Sequence, residues 1–139
     1  MVCWPAMRRV LLVEDSASMR AFVRAALTQS SALGDLEIAE AQSGFDALRL
    51  LPRGAWDLVI TDINMPDING LELISFIKKS EAHKTTPILI ISTASSERDR
   101  ERGMTLGASG YLVRPFTAEA PAQHALEQMG AASTSGAHA

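Results

Sequence analysis

The chain has 139 residues, 47% of them apolar, a length that fits one domain able to bury a real core. Lys and Arg total 13 against 16 acidic residues, for a net charge of -3, and Cys3 is the only cysteine. A nucleic-acid footprint, an internal disulfide and a cysteine-based metal site are thereby excluded.

Residues 1–7 read as an N-terminal extension, 8–129 as the domain, and 130–139 as a small, polar, disordered tail. The opening Met1-Val2-Cys3-Trp4-Pro5-Ala6 is too short and too interrupted for a signal peptide. No apolar run approaches the ~20 residues of a membrane span, so a cytoplasmic location is the expectation.

The first strand is expected over 9–13, with Ser16 placed to cap the helix that follows. In that helix Met19, Phe22, Val23, Ala26 and Leu27 repeat at i, i+3, i+4, i+7 and i+8, which makes one apolar face. A second strand is expected over 36–41, then a shorter helix over 44–51 ended by Pro52 and Gly54. The third strand, 58–61, has Trp56 packed at its start, and the third helix, 70–79, turns Leu71, Ile74 and Ile77 inward. A fourth strand, 88–92, leads to a helix capped by Ser96 and closed by Gly107, whose stretch 97–102 alternates in charge sign as a solvated face does. The fifth strand, 110–113, precedes a helix capped by Thr117, with Ala118, Ala122, Ala125, Leu126 and Met129 on one face and Pro121 near its start. Five strand–helix units with short links predict a doubly wound α/β fold, a five-stranded parallel sheet with helices on both faces. The continuous apolar runs suit strands buried on both sides.

Asp62 ends the run Leu58-Val59-Ile60-Thr61, and Glu14-Asp15 ends Val10-Leu11-Leu12-Val13. Ligands in such folds sit beyond the carboxyl ends of the strands, where Ser92 and Arg114 also fall. Taken singly, a strand-end acid is a solvated loop residue or a helix cap, Ser92 a turn hydroxyl and Arg114 surface charge. Together they form a constellation. Close like charges cannot all stay ionised without a cation, and an oxygen-only donor set with a nearby backbone carbonyl suits Mg²⁺. Asp62 is the best candidate nucleophile: a carboxylate attacks a phosphoryl group to give an acyl phosphate, with Ser92 and Arg114 completing the cradle.

The runs VLLVEDS, DLVITDINMPDINGLEL, PILIIS and GASGYLVRPF resemble the receiver domain of two-component response regulators, and within it the small CheY-like chemotaxis type. The resemblance covers roughly residues 8–129 and implies strand order 2-1-3-4-5. It implies Asp62 as phosphoacceptor, Asp15 as a direct Mg²⁺ ligand, Glu14 as a ligand through water, and Asn64 as donor of a main-chain carbonyl. Arg114 stands where the family carries a phosphoryl-contacting lysine, Tyr111 where it carries a switch aromatic, and Arg114-Pro115 at a bond that is cis in the family. Registering Pro87 and Arg114 on the pattern without a gap puts Ser92, not Thr93, in the hydroxyl slot. The two face opposite ways along a strand.

Two departures stand out. Arginine and lysine are not interchangeable at a phosphate. Thr93 follows the hydroxyl where small residues are common, and its bulk restricts access to the phosphoryl group.

The implied function is a stand-alone response regulator and not an enzyme acting on other molecules. It takes a phosphoryl group from a sensor histidine kinase or phosphotransfer protein, as in chemotaxis or a phosphorelay. It signals as a monomer through the face of the fourth helix, fifth strand and fifth helix, with no nucleic acid or membrane as partner. One alternative is a degenerate receiver, a phosphorylation-independent interaction module, for which Arg114 speaks. Another is a flavodoxin-like nucleotide or flavin binder, which needs a Gly- or Ser/Thr-rich loop where Glu14-Asp15-Ser16 stands. Asp67 is assigned to the turn before Gly70. His83, His124 and His138 share no metal spacing.

Overall fold

The computed structural model describes residues 7–92 and 97–130, and within them the apolar runs form five parallel strands. These are β1 (Arg8–Val13), β2 (Leu36–Ala41), β3 (Leu58–Asp62), β4 (Ile88–Ser92) and β5 (Gly110–Val113). They alternate with α1 (Ala17–Thr28), α2 (Gly44–Leu50), α3 (Gly70–Lys79), α4 (Glu97–Leu106) and α5 (Glu119–Met129). The sheet order is β2-β1-β3-β4-β5, as the resemblance implies.

Side-chain alternation sends Val10, Leu12, Leu58, Ile60, Leu89 and Ile91 to one face, where α1 and α5 cover them with Val23, Leu27, Ala122 and Ala125. Leu11, Val13, Val59, Ile88 and Ile90 point the other way, under Ala47, Leu71, Ile74, Ile77 and Ala108. Each such Leu, Ile or Val contributes about 1.5–3 kcal/mol by leaving water, which makes these two clusters the main source of stability. Central β3 and β4 are buried at every position. Edge strand β2 departs from the expected continuous burial: Glu37 and Glu40, on opposite faces, are exposed, because the helices cover an edge strand only in part.

Local chemistry sets the helix ends. Ser16 Oγ accepts from the Met19 N–H and Ser43 Oγ from the Asp46 N–H. Asn69 and Glu72 form a reciprocal capping box at the start of α3. Thr117, in contrast, gives α5 no side-chain cap; its carbonyl accepts from the Ala120 N–H and the helix begins at Glu119. Pro121 is then the third helical residue, where an N–H would have no intrahelical partner. The 44–51 helix ends a residue early, at Leu50, and Leu51–Arg53 forms a 3-10 turn around Pro52.

Phe22, expected inside, stays 38% exposed at the rim of α1, its ring 5.8 Å from that of Phe116. Trp56 is buried before β3, donating to the Leu51 carbonyl, with the Arg9 guanidinium 4.2 Å above its ring. No helix among the described residues is long and apolar enough to cross a membrane.

Candidate functional site

The strand order reverses at β1, which pairs with β2 on one side and β3 on the other. Val13 lies opposite Thr61, so Glu14-Asp15 and Asp62 leave neighbouring strands side by side. Asp62 is the last residue of β3, one beyond the expected end, and pairs in register with Ile91. One carboxylate oxygen from each of Glu14, Asp15 and Asp62 lies within 4.8 Å of the others. Asp15 faces solvent, whereas Glu14 is 1% exposed and Asp62 3%.

Glu14 Oε2 accepts from the Ser16 N–H at 3.0 Å, but Glu14 Oε1 is buried without a hydrogen-bond partner. Arg114 Nη2 is 3.9 Å from that oxygen and 3.2 Å from Asp62 Oδ2. Asp62 Oδ1 accepts from the Asn64 N–H at 3.3 Å. Burial pushes Glu14 up to about 7, helped by the Asp62 charge and opposed by the Ser16 N–H. Burial raises Asp62 as well, while Arg114 pulls it down. Two buried acids beside an exposed one, with a carboxylate oxygen left orphaned, form the oxygen-only donor set that a hard divalent cation satisfies. The residues fit such an ion.

Ser92 is fully buried at the end of β4, and its carbonyl accepts from the Arg114 N–H at 2.8 Å. The hydroxyl-bearing and cation-bearing residues therefore sit on adjoining strand ends, next to Asp62. The Arg114–Pro115 peptide bond is cis. Tyr111 is half-buried against the core beneath α2, α3 and α4. Asn64 is exposed in the loop of residues 63–69 that joins β3 to α3. Thr93 and the expected cap Ser96 lie outside the described residues, as does His138. His83 is buried in the packing and His124 sits 3.7 Å from Glu127, both apart from the acidic cluster.

Three partners escape sequence reasoning. Arg20 Nη1 donates to the Glu14 carbonyl at 2.7 Å while its Nε meets Glu40 at 3.1 Å. Asp67, which lies in the expected turn before Gly70, spends its carboxylate on α2, accepting from Gly44 and Phe45 N–H groups. Gly70 packs so tightly that a Cβ there would lie 2.1 Å from the Asp62 carbonyl oxygen. Only Gly70 carried a readable signal, a glycine soon after the strand-end acid.

The family model of the response regulator receiver domain matches residues 10–125. Chemotaxis protein CheY-3 of Vibrio cholerae is 36% identical over 110 residues, covering 79% of this chain and 82% of that protein. The chemotaxis protein CheY homolog of Campylobacter jejuni is 31% identical over 130 residues, 93% of this chain and 98% of its own. The solved structure of Vibrio cholerae chemotaxis protein CheY4 has a TM-score of 0.78 at 33% identity, over 89% of this chain and 99% of that one. With the sheet order and the acidic strand ends already in place, these likenesses show that the chain belongs to the response regulator receiver domain family and is CheY-like.

Proposed function

We propose that the chain accepts a phosphoryl group on Asp62 from a sensor histidine kinase or a phosphotransfer protein. It then signals by phosphorylation-dependent protein binding, in chemotaxis or a phosphorelay. The observation that carries this reading is the buried Asp62 carboxylate held between the Glu14-Asp15 pair and the Arg114 guanidinium.

An Asp62 oxygen attacks the phosphorus of a phosphohistidine. The O–P bond forms as the P–N bond breaks, the imidazole leaves with the bonding pair and takes a proton from water, and Asp62 becomes an acyl phosphate. Glu14, Asp15, Asp62 and the Asn64 carbonyl would hold Mg²⁺, which supplies neutralisation of the charge developing on the transferring oxygens. Arg114 moves its hydrogen bond from the Asp62 carboxylate to a phosphoryl oxygen, and the Ser92 hydroxyl donates to another. Tyr111 carries the change to the α4–β5–α5 face, where Met104 and Val113 stand exposed for a target protein. The chain promotes only its own phosphorylation and dephosphorylation, as a cytoplasmic monomer. The chemotaxis assignment rests on the relatives' names.

The test is incubation of the whole chain with acetyl phosphate and Mg²⁺, read by intact mass. The wild-type chain gains one phosphoryl mass and Asp62→Asn gains none. A second reading, a phosphorylation-independent interaction module, is favoured by the Arg114–Asp62 ion pair; the absence of any Asp62-dependent phosphoprotein would establish it and overturn the first.

A further inference from the structure

The β3–α3 loop carries Asn64, which is exposed and whose main-chain N–H, not its side chain, makes its hydrogen bond among the described residues. What holds the loop must come from its flanks. Ile63 and Met65 are buried beneath it, and the Ile63 carbonyl accepts from the Gly70 N–H at 2.8 Å. At the outer end, Asp67 Oδ1 accepts from the Gly44 N–H at 3.1 Å and Oδ2 from the Phe45 N–H at 2.9 Å. With Ser43 Oγ taking the Asp46 N–H, the first three N–H groups of α2 are satisfied, two of them by a residue from another loop. Gly44 allows this approach: a Cβ there would lie 2.6 Å from Ile68 Cβ. The Phe45 N–H also holds the Asp67 carboxyl down at about 2, so the acceptor stays ionised through the ordinary pH range.

We propose that Asp67 is a positioning residue for the metal site: by clasping the first turn of α2 it fixes the β3–α3 loop and, through it, the Asn64 carbonyl. Asp67 touches neither the ion nor the phosphoryl group. The proposal rests on the reading of Glu14, Asp15, Asp62 and Asn64 as the metal ligands. It makes α2 part of the apparatus of the site, although α2 supplies no ligand. The clasp is the one place where the loop's outer half is tied to another element by paired hydrogen bonds among the described residues.

The experiment titrates MgCl₂ calorimetrically into the full-length chain and into Asp67→Ala, Asp67→Asn and Ser43→Ala, with thermal melts on the same samples. Asp67→Ala weakens Mg²⁺ binding about tenfold, the scale on which partners that orient ligands act. Asp67→Asn, which keeps one acceptor oxygen, falls between it and wild type. Ser43→Ala removes a cap from the same helix without touching the loop, so it lowers the melting temperature and leaves Mg²⁺ affinity within about twofold of wild type. Equal affinities in Asp67→Ala and wild type overturn the proposal alone, and so does an equal loss in Ser43→Ala, which would trace the effect to α2 stability. A wild-type chain that binds no Mg²⁺ overturns the reading of the site itself and the proposal with it.

Discussion

Arg114 Nη2 lies 3.2 Å from Asp62 Oδ2, while the Asn64 N–H donates to the other oxygen of the same carboxylate. The Asp62 carboxylate is thus flanked by a main-chain dipole on one side and a full positive charge on the other. That asymmetry shapes the first prediction.

Arg114→Gln keeps a hydrogen-bond donor and removes the cation that pulls Asp62 down against burial. The carboxyl is then less ionised and less nucleophilic, and the transferring phosphoryl group loses a donor. Phosphorylation by acetyl phosphate should slow by on the order of 10²-fold, the usual cost of one electrostatic donor in such a site. Arg114→Lys, with the charge but not the planar fork, should recover most of the rate. Rates measured by intact mass decide it, and a Gln variant as fast as wild type would remove Arg114 from the mechanism.

Glu14 would link metal binding to pH. Its carboxyl is pushed up to about 7 by burial, so below that value an incoming Mg²⁺ must displace a proton. Apparent Mg²⁺ affinity should therefore rise as pH climbs toward 7 and level off above, by up to about tenfold per pH unit on the rising limb. Without metal the sign reverses. Between 4.5 and about 7 the native state binds more protons than the unfolded one, so stability falls as pH rises. Calorimetric titrations and urea midpoints at several pH values give both slopes, and Glu14→Gln should make each shallower by removing the Glu14 contribution.

Gly70→Ala should disturb the acceptor strand from behind. Its Cβ would lie 2.1 Å from the Asp62 carbonyl oxygen and 2.8 Å from Ile63 Cα, both backbone atoms that cannot swing aside. A cost of about 1–3 kcal/mol is expected from such overpacking, visible as a lower urea midpoint. Phosphorylation should fall more than stability does, because the displaced atoms belong to Asp62 itself.

Arg8 closes the opposite end of the sheet. Its guanidinium donates to the Met129, Gly130 and Leu33 carbonyls, tying the last turn of α5 and the α1–β2 connection to the start of β1. A cation at a helix C-terminus is stabilising, so Arg8→Ala should lower stability by about 1 kcal/mol and the melting temperature by roughly 2–4 °C. Faster amide exchange in the last turn of α5, with unchanged Mg²⁺ affinity, would confirm that the effect is local.

Much of this architecture is legible in the chain because two strong physical signals coincide. Runs such as Leu58-Val59-Ile60-Thr61 are apolar or β-branched at every position, as a doubly covered strand favours, and the acids follow them directly. Once the strands are parallel, Glu14-Asp15 and Asp62 must share an edge. The parts that escaped depend on where distant segments meet. Nothing near Asp67 announces that its carboxylate will cap α2, more than twenty residues upstream. Phe22 fits the apolar stripe of α1, yet it stands at the rim, where its ring meets Phe116 and not the centre of the core. Thr117 has the chemistry of a cap, but the chain leaving Pro115 starts the helix beyond its reach. Glu37 and Glu40 are tolerated in β2 only because that strand is an edge, and its place in the sheet is a property of the whole topology.

The placement of β1 between β2 and β3 also orders events in time. Glu14 and Asp15 are synthesised early, but the third carboxylate arrives only with β3, after the whole β2–α2 excursion has been made. No N-terminal fragment that stops before residue 62 contains the cluster, and no partly folded chain that leaves β1 and β3 apart can grip an ion with it. Magnesium would therefore recognise only a chain in which β1 and β3 have paired, and would shift the folding equilibrium toward such chains by RT ln(1 + [Mg²⁺]/Kd). A bound ion at this edge would thus report that the two strands, far apart in the chain, have found each other.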